Sequence, residues 1–171
     1  MISPLSRFTG KTIVISQPSI WKNTFELVYE NEVLGKVTIR GFLGSKINVN
    51  FMEGEWELYY PHFWKSGINI REKGKENSFA SYYQKFFSRE GTIFLPKGQR
   101  LKVKSGAFKN NYGIYTTSGI CLVKIMNKSG LRSKYLVSIE NSSEFLDKFP
   151  WVILLAWHLI MRRKQSAAAA G

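Results

Sequence analysis

Short runs of alternating apolar and polar residues, separated by turn-forming residues, occupy most of the chain. TIVIS (12–16) is rich in β-branched residues, and FELVY (25–29) and VLGKVTIR (33–40) flank a polar gap at residues 30–32. Period-two alternation with β-branched and aromatic residues predicts strands, and a short polar gap between two such runs predicts a hairpin. The first forty residues are therefore predicted to hold three strands.

The same pattern continues to residue 140, with a second hairpin turn at residues 52–55. Segment 79–90 also has aromatic residues at helical spacing, and we interpret it as strand and loop. Turn signals recur about every 8 to 12 residues, which is typical of a sandwich or barrel. The further predicted strands are KINVNF (46–51), WELYY (56–60), INIRE (68–72), TIFLP (92–96), QRLKVKSG (99–106), YGIYTT (112–117), GICLVKIM (119–126) and KYLVSIE (134–140).

The segment FPWVILLAWHLIM (149–161) is different, because between Trp151 and Met161 its only polar residue is His158. As a helix this segment is about 20 Å long. A membrane span needs roughly 20 residues, which corresponds to about 30 Å. A helix that is apolar on all sides must be surrounded by protein. We therefore predict an all-β protein in which a closed antiparallel barrel surrounds this helix, without a transmembrane span; a membrane anchor is the alternative. The predicted core residues of the helix are Trp151, Leu154, Leu155, Trp157 and His158.

Residues 1–165 are predicted to form a single domain. Asn141 followed by Glu144 resembles a capped helix start, and Pro150 is expected to kink or restart that helix. The basic residues 162–164 then suit the carboxyl end of the apolar helix. The alanine-rich tail 166–171 is excluded from the fold, as a cloning scar or a disordered end.

The chain is strongly basic, with 25 Lys and Arg against 12 Asp and Glu and a net charge of +13. This balance favours anionic partners, namely nucleic acid, acidic lipid headgroups or acidic proteins, and its alternative is a merely soluble basic surface. Cys121 is the single cysteine, so no disulfide forms within the chain. We expect a cytoplasmic protein, with peripheral association at the membrane as an alternative.

Basic residues are concentrated between Gly91 and Lys134, where no acidic residue occurs. In QRLKVKSG (99–106) the basic residues alternate with Leu101 and Val103, so that they share one face of a strand. Such a face can bind headgroup or nucleic-acid phosphates; its alternative is a solvated strand whose lysines protect an edge. The candidate anion-binding and lipid-binding residues are Lys97, Arg100, Lys102, Lys104, Lys109 and Lys124.

Enzymatic chemistry has little support in the sequence. His62 and His158 have no carboxylate or second histidine at ligand spacing, and no nucleophile-elbow, phosphate-loop or zinc-protease motif occurs. Glu53, Glu55 and Glu57 alternate, which predicts a solvated hairpin face more readily than paired catalytic carboxylates. We therefore expect no enzyme activity, no metal and no cofactor.

The late helix FPWVILLAWHLIM and the hairpin series FELVYENEVLGKVTIRGFLGSKINVNF together resemble the tubby C-terminal-like superfamily. This superfamily includes tubby-like proteins, plant LURP-one-related proteins and phospholipid scramblases. The run LGKV followed by Gly-aromatic-x-Gly is similar to the hairpins of LURP-one-like domains. The resemblance implies a twelve-stranded antiparallel barrel around a central hydrophobic helix. It also implies binding rather than catalysis, with phosphoinositide headgroups held by lysine and arginine.

Calcium, which is associated with the scramblases, has no support here because no D-x-D loop occurs. Together these observations predict a non-enzymatic protein that recognises anionic phosphate groups, such as phosphoinositide or acidic lipid headgroups, through a basic barrel face. Two alternatives stay open. One is nucleic-acid binding, for which KNNYGIYTT (109–117) offers aromatic residues near basic ones. The other is a protein-interaction scaffold without a small ligand.

Overall fold

A closed antiparallel barrel of twelve strands surrounds one long helix in the computed structural model, which describes residues 4–41, 44–62, 67–106, 111–128 and 133–171. Each strand pairs with the strand before it in the chain, and β1 pairs with β12 to close the barrel. The strands are β1 (Thr12–Ser16), β2 (Thr24–Tyr29), β3 (Glu32–Arg40), β4 (Lys46–Phe51), β5 (Gly54–Tyr59), β6 (Gly67–Glu72), β7 (Ala80–Gln84), β8 (Glu90–Phe94), β9 (Arg100–Ser105), β10 (Asn111–Thr116), β11 (Cys121–Lys128) and β12 (Lys134–Ile139).

Alternation along each strand places its apolar residues inside the barrel. Ile13 and Ile15 of β1 are buried, as are Leu101 and Val103 of β9, while the residues between them face outward. The ambiguous segment 79–90 contributes β7 and the start of β8, as interpreted from the sequence. The predicted barrel is confirmed. The register of each strand pair keeps the apolar residues on the inner face, as the period-two pattern predicts.

The apolar segment forms the central part of helix α2 (Val152–Ala170), which fills the barrel. Trp151 at its start and Leu154, Leu155, Trp157 and His158 are buried, as predicted. The Trp157 ring lies edge-on to Phe25 at 4.8 Å and to Tyr135 at 6.0 Å between ring centroids. Aromatic pairs of this geometry add to the stabilisation from burial. None of the helices in the described ranges combines the length and apolar character that a membrane crossing needs.

His158 is the one buried polar residue among the described core positions, and it makes a single side-chain hydrogen bond. Its Nε2 lies 2.9 Å from the hydroxyl of Tyr60, whereas Nδ1 has no hydrogen-bond partner within the described residues. Burial, with a smaller contribution from the nearby Arg162 guanidinium, lowers the pKa of His158 to about 3. The imidazole is therefore neutral at physiological pH.

The predicted helix start is wrong by two residues. Helix α1 (Glu144–Lys148) begins after Ser143, whose side chain accepts a hydrogen bond from the backbone N–H of Phe145 at 3.2 Å. Asn141 lies before the helix, where its side-chain amide donates to the backbone carbonyl of Cys121 at 2.7 Å. Both residue types cap helices well, and tertiary contact decides between them.

Helix α2 also extends further toward the carboxyl terminus than predicted from the sequence. Residues 166–170 are helical and exposed, rather than a disordered end. Alanine has the highest intrinsic helix propensity, and these residues extend a helix that is already nucleated inside the barrel. The carboxyl end of the helix therefore projects from the barrel.

The two ends of the barrel differ. At the closed end, a short 3₁₀ helix (Leu5–Phe8) contacts α1, and Asp147 accepts hydrogen bonds from the backbone N–H and hydroxyl of Ser6 at 2.7 and 2.9 Å. At the other end, which we term the helix-exit end, α2 leaves the barrel. The strand order puts the six connections β1–β2, β3–β4, β5–β6, β7–β8, β9–β10 and β11–β12 at this end. Their described residues are 17–23, 41, 44–45, 60–62, 85–89, 106 and 133.

Replacing Trp157 with Ala is expected to lower the free energy of unfolding by about 3 to 5 kcal/mol, because a large buried aromatic leaves a cavity. For a chain of this length the melting temperature should fall by roughly 6 to 20 °C. Trp21→Ala is the matched control, because Trp21 is 90% exposed. Equal melting temperatures for the two variants would contradict the enclosed helix.

Acidification is expected to destabilise the protein through His158. Between pH 6.5 and about 3 the unfolded chain binds a proton at this histidine and the folded protein does not, so stability falls as the pH drops. From pH 7 to pH 5 the loss from this group is about 2 kcal/mol. Urea unfolding of wild-type and His158→Gln proteins across this range measures it. Parallel pH profiles for the two proteins would show that the buried histidine is not responsible.

Candidate functional site

The basic residues of β9 share the outer face of the barrel, as the alternation predicts. We term Arg100, Lys102 and Lys104 the lysine face. The guanidinium of Arg100 lies over the Phe94 ring at 5.3 Å, and the ammonium of Lys104 lies over the Tyr115 ring at 5.4 Å. The charges of this face are therefore partly held against neighbouring aromatic rings.

A carboxylate from the adjacent strand neutralises much of the lysine face. Glu90 of β8 lies 3.0 Å from the ammonium of Lys102 and 3.5 Å from that of Lys104. The hydrogen bond from Lys102, followed by the charges of both lysines, lowers the pKa of Glu90. Glu90 therefore reduces the repulsion between Lys102 and Lys104 within the protein itself.

Lys124 lies near the lysine face across one intervening strand. Gly113 of β10 lies opposite Lys104 on one side and opposite Lys124 on the other. Because glycine has no side chain, the two lysines flank a shallow cavity of about 180 Å³ that Tyr115 also lines. Lys124 is itself paired with Glu140 at 3.7 Å.

The remaining two candidates are not part of this arrangement. Lys97 lies in the β8–β9 connection at the closed end, beyond Arg100, and it is exposed. Lys109 lies outside the described residues. The six candidates therefore do not form one site in the described part of the chain.

The alternating glutamates of the second hairpin are largely paired. Glu57 lies 2.7 Å from Arg71 and 3.8 Å from Lys46, and Glu55 lies 3.0 Å from Lys73. This arrangement agrees with the solvated hairpin face expected from the sequence. Within the described ranges, no group of three or more His, Cys, Asp and Glu residues could hold a metal ion.

A different group of basic residues converges at the helix-exit end. Arg162 and Arg163 of α2 and Arg89 of the β7–β8 connection line one cleft of about 460 Å³. We term it the arginine cleft. Tyr60 and Tyr82 form part of its wall, together with Ile68, Gln84, Phe87, Ser88, Tyr112, Leu159 and Ser166.

The arginine cleft has no acidic residue in its lining. None of the ion pairs among the described residues involves Arg89, Arg162 or Arg163. Arg162 lies over the Tyr60 ring at 4.7 Å, which fixes the orientation of its guanidinium. The cleft therefore presents positive charge that the protein does not neutralise.

Tyr60 connects this cleft to the core. Its hydroxyl meets His158 inside the barrel, while its ring supports Arg162. Burial raises the pKa of Tyr60 to about 12, against the opposing effect of the Arg162 charge, so the phenol stays protonated. The guanidinium therefore rests on a neutral ring that the core holds in place.

The two ends of the barrel also differ in charge. No Asp or Glu occurs in the six connections of the helix-exit end or anywhere in α2. Two basic residues, Lys128 and Lys134, also lie directly opposite each other at strand ends there. Arg40 likewise lies opposite Lys46, but Lys46 is paired with Glu57 at 3.8 Å. Like charges in such register are unfavourable, so an anion bound near Lys128 and Lys134 would reduce that cost.

Sequence reasoning missed the arginine cleft because its arginines come from distant segments. In the sequence, the triplet 162–164 indicates only the end of the apolar helix, and Arg89 lies in a segment whose pattern fits either strand or helix. The absence of acidic residues from every connection at one end is a signal that was available once the order of the strands was predicted. No protein-family model, curated protein sequence or solved structure matches this chain.

Proposed function

We propose that this protein is a non-enzymatic binding protein that recognises phosphate groups on anionic lipid headgroups, such as phosphoinositides. The observation that supports this proposal is the arginine cleft, in which three arginines surround one cavity without a neutralising carboxylate. Arginine presents a planar fork of donors that matches a phosphate group with two parallel hydrogen bonds. The site therefore lies at the helix-exit end rather than on the lysine face assigned from the sequence.

Burial and charge favour the cleft over the lysine face. Arg162 and Arg163 are half-buried, so their charges are less screened by solvent than those of the exposed Arg100 and Lys104. Lys102 and Lys104 already share Glu90, and a ligand on that face would compete with this carboxylate. A phosphate in the arginine cleft displaces only water.

The size of the cleft also suits a headgroup. A volume of about 460 Å³ lies within the range of small-molecule sites. The hydroxyls of Tyr82 and Ser88 in the lining already donate to Gln84 Oε1 and to the Glu90 carbonyl, both at 2.9 Å, so the arginines supply the donors for phosphate oxygens. The resemblance to the tubby-like barrels, whose members bind phosphoinositides, agrees with this chemistry.

Removing the charges of the arginine cleft and of the lysine face in separate variants shows which surface binds the headgroup. The variant Arg89→Gln/Arg162→Gln/Arg163→Gln should bind soluble inositol 1,4,5-trisphosphate at least tenfold more weakly than wild type, since each charge-assisted hydrogen bond contributes about 1.5 to 3 kcal/mol. Isothermal titration calorimetry at 50 to 200 mM salt measures this. The matched control Arg100→Gln/Lys102→Gln/Lys104→Gln removes the same charge and should lose less than threefold.

Three results would contradict the proposal. A larger loss in the control variant would place the site on the lysine face. Equal losses would indicate non-specific attraction to a basic protein. Wild-type protein that binds single-stranded oligonucleotide but not the trisphosphate would indicate nucleic-acid binding instead. Circular dichroism and the melting temperature of each variant show whether it is folded.

A further inference from the structure

The most exposed large apolar side chains of the described residues all lie at the helix-exit end. Trp21 and Ile20 in the β1–β2 connection are 90% and 66% exposed, and Phe87 and Phe86 in the β7–β8 connection are 95% and 84% exposed. The next large apolar side chains are only 53% exposed. We term the first pair the tryptophan tip and the second pair the phenylalanine tip. Exposed apolar pairs of this size are unfavourable in water and mark candidate interaction surfaces.

The same hydrogen-bonding device holds both tips. In the β1–β2 connection, the side-chain amide of Gln17 donates to the Lys22 carbonyl at 2.7 Å, and the Lys22 N–H donates to the Ser19 carbonyl at 3.2 Å. In the β7–β8 connection, the Gln84 amide donates to the Ser88 carbonyl, and the Ser88 N–H donates to the Lys85 carbonyl at 3.0 Å. Each glutamine therefore closes a turn whose two apolar residues point away from the barrel.

The phenylalanine tip is also held in an unfavourable backbone conformation. Phe87 has φ of 64°, in the left-handed region that bulky residues rarely adopt. Its ring packs edge-on against Phe86, with 4.3 Å between the ring centroids. A glycine at this position would remove both the strain and the exposed ring. The phenylalanine is therefore exposed at a cost in backbone strain.

The two tips lie on opposite sides of the barrel. In the closed order of twelve strands, the β1–β2 hairpin and the β7–β8 hairpin are separated by the same number of strands in both directions. With strands about 4.8 Å apart and tilted, such a barrel is roughly 20 to 25 Å across. The arginines of α2 emerge between the two tips. A flat apolar surface with negative charge at its boundary matches this arrangement.

We infer that the helix-exit end docks on a lipid bilayer containing anionic lipids, with both tips inserted between the headgroups and the barrel axis upright on the membrane. This inference rests on the proposed function, since it places the arginine cleft at headgroup depth. Tryptophan is enriched at membrane interfaces, and nearby Lys and Arg are attracted to anionic leaflets. Lys22, Lys85, Arg89 and Lys164 lie next to the tips or the helix exit. The nearest acidic residue in sequence, Glu90 at the start of β8, is paired with Lys102 and Lys104.

The aromatic tips are tested by co-sedimentation with vesicles of phosphatidylcholine, with and without 30% phosphatidylserine and 5% phosphatidylinositol bisphosphate. The combined variant Ile20→Ser/Trp21→Ser/Phe86→Ser/Phe87→Ser should bind the anionic vesicles at least tenfold more weakly than wild type. Each pair alone should lose about three- to fivefold. Val33→Ser/Ile120→Ser is the matched control for a pair, because it removes exposed apolar residues at the closed end, and it should bind like wild type.

Insertion itself has a separate readout. Brominated phosphatidylcholine in the anionic vesicles should quench the fluorescence of wild-type protein, and Trp21→Phe, which keeps an aromatic ring, should lose most of that quenching. Equal quenching of the two proteins would show that Trp21 does not enter the bilayer and would overturn the inference.

Titration with the soluble trisphosphate separates this inference from the proposed function. The variant Ile20→Ser/Trp21→Ser, whose residues do not line the arginine cleft, should bind the soluble headgroup like wild type while binding the anionic vesicles about three- to fivefold more weakly. Wild-type protein that binds the trisphosphate but no vesicle would overturn the docking inference alone, and the tips would then serve an acidic protein or a second copy. Equal vesicle binding by wild-type protein and the tip variant would also overturn it. Loss of both ligands in wild-type protein would overturn both proposals.

Discussion

Enclosure of an apolar helix is the constraint on which the rest of this structure depends. From Val152 to Met161 all but one residue of α2 are buried, so the helix has no face that could lie on water. An open sheet would cover only one side of it, whereas a closed barrel covers every side. The strand order follows from the same need, because β1 and β12 must pair to complete the enclosure. The barrel interior is consequently a packed core rather than a ligand cavity.

Ligand binding is therefore confined to the outside and the ends, and the two ends are built differently. At the closed end, the contact between Ser6 and Asp147 joins the 3₁₀ helix to α1. The acidic residues that occur in strand connections all lie at this end. The connections of the helix-exit end contain no Asp or Glu, and no helix covers that end among the described residues. A single core interaction also reaches this end, since Tyr60 bonds to His158 inside and supports Arg162 outside. Stability of the core and the geometry of the cleft are thus linked through one side chain.

The fold was predictable because its signals are local and periodic. Alternation identified the strands, and the uninterrupted apolar run identified an enclosed helix that in turn required a barrel. The lysine face was also predicted correctly as a geometric feature of β9. Its electrostatics were not predicted, because Glu90 and Glu140 lie just outside the segment Gly91–Lys134, which contains no acidic residue. Pairing of neighbouring strands places these two carboxylates beside Lys102 and Lys124. The charge composition of one segment does not show which residues the neighbouring strands contribute.

The arginine cleft and the exposed tips were missed for a related reason. Arg89 and Arg162 become neighbours only through the closure of the barrel around α2. The phenylalanines of the β7–β8 connection look in the sequence like part of an aromatic strand, and a residue with left-handed φ among them cannot be recognised from its type. Helix starts show the same limit, since Asn141 and Ser143 are equally suitable caps until the contact of Asn141 with β11 is known.

Closure of the barrel also determines the order in which the chain can be completed during synthesis. Thr12 pairs with Ser138, so the first strand of the barrel has an unpaired edge until the twelfth strand has been made. The helix that fills the interior is encoded after every strand that surrounds it. The wall therefore cannot close ahead of its own filling, and sheet and helix must reach the native state together. Pairing of such distant residues slows folding, and a nascent chain of this design leaves the ribosome with its apolar strands still uncovered.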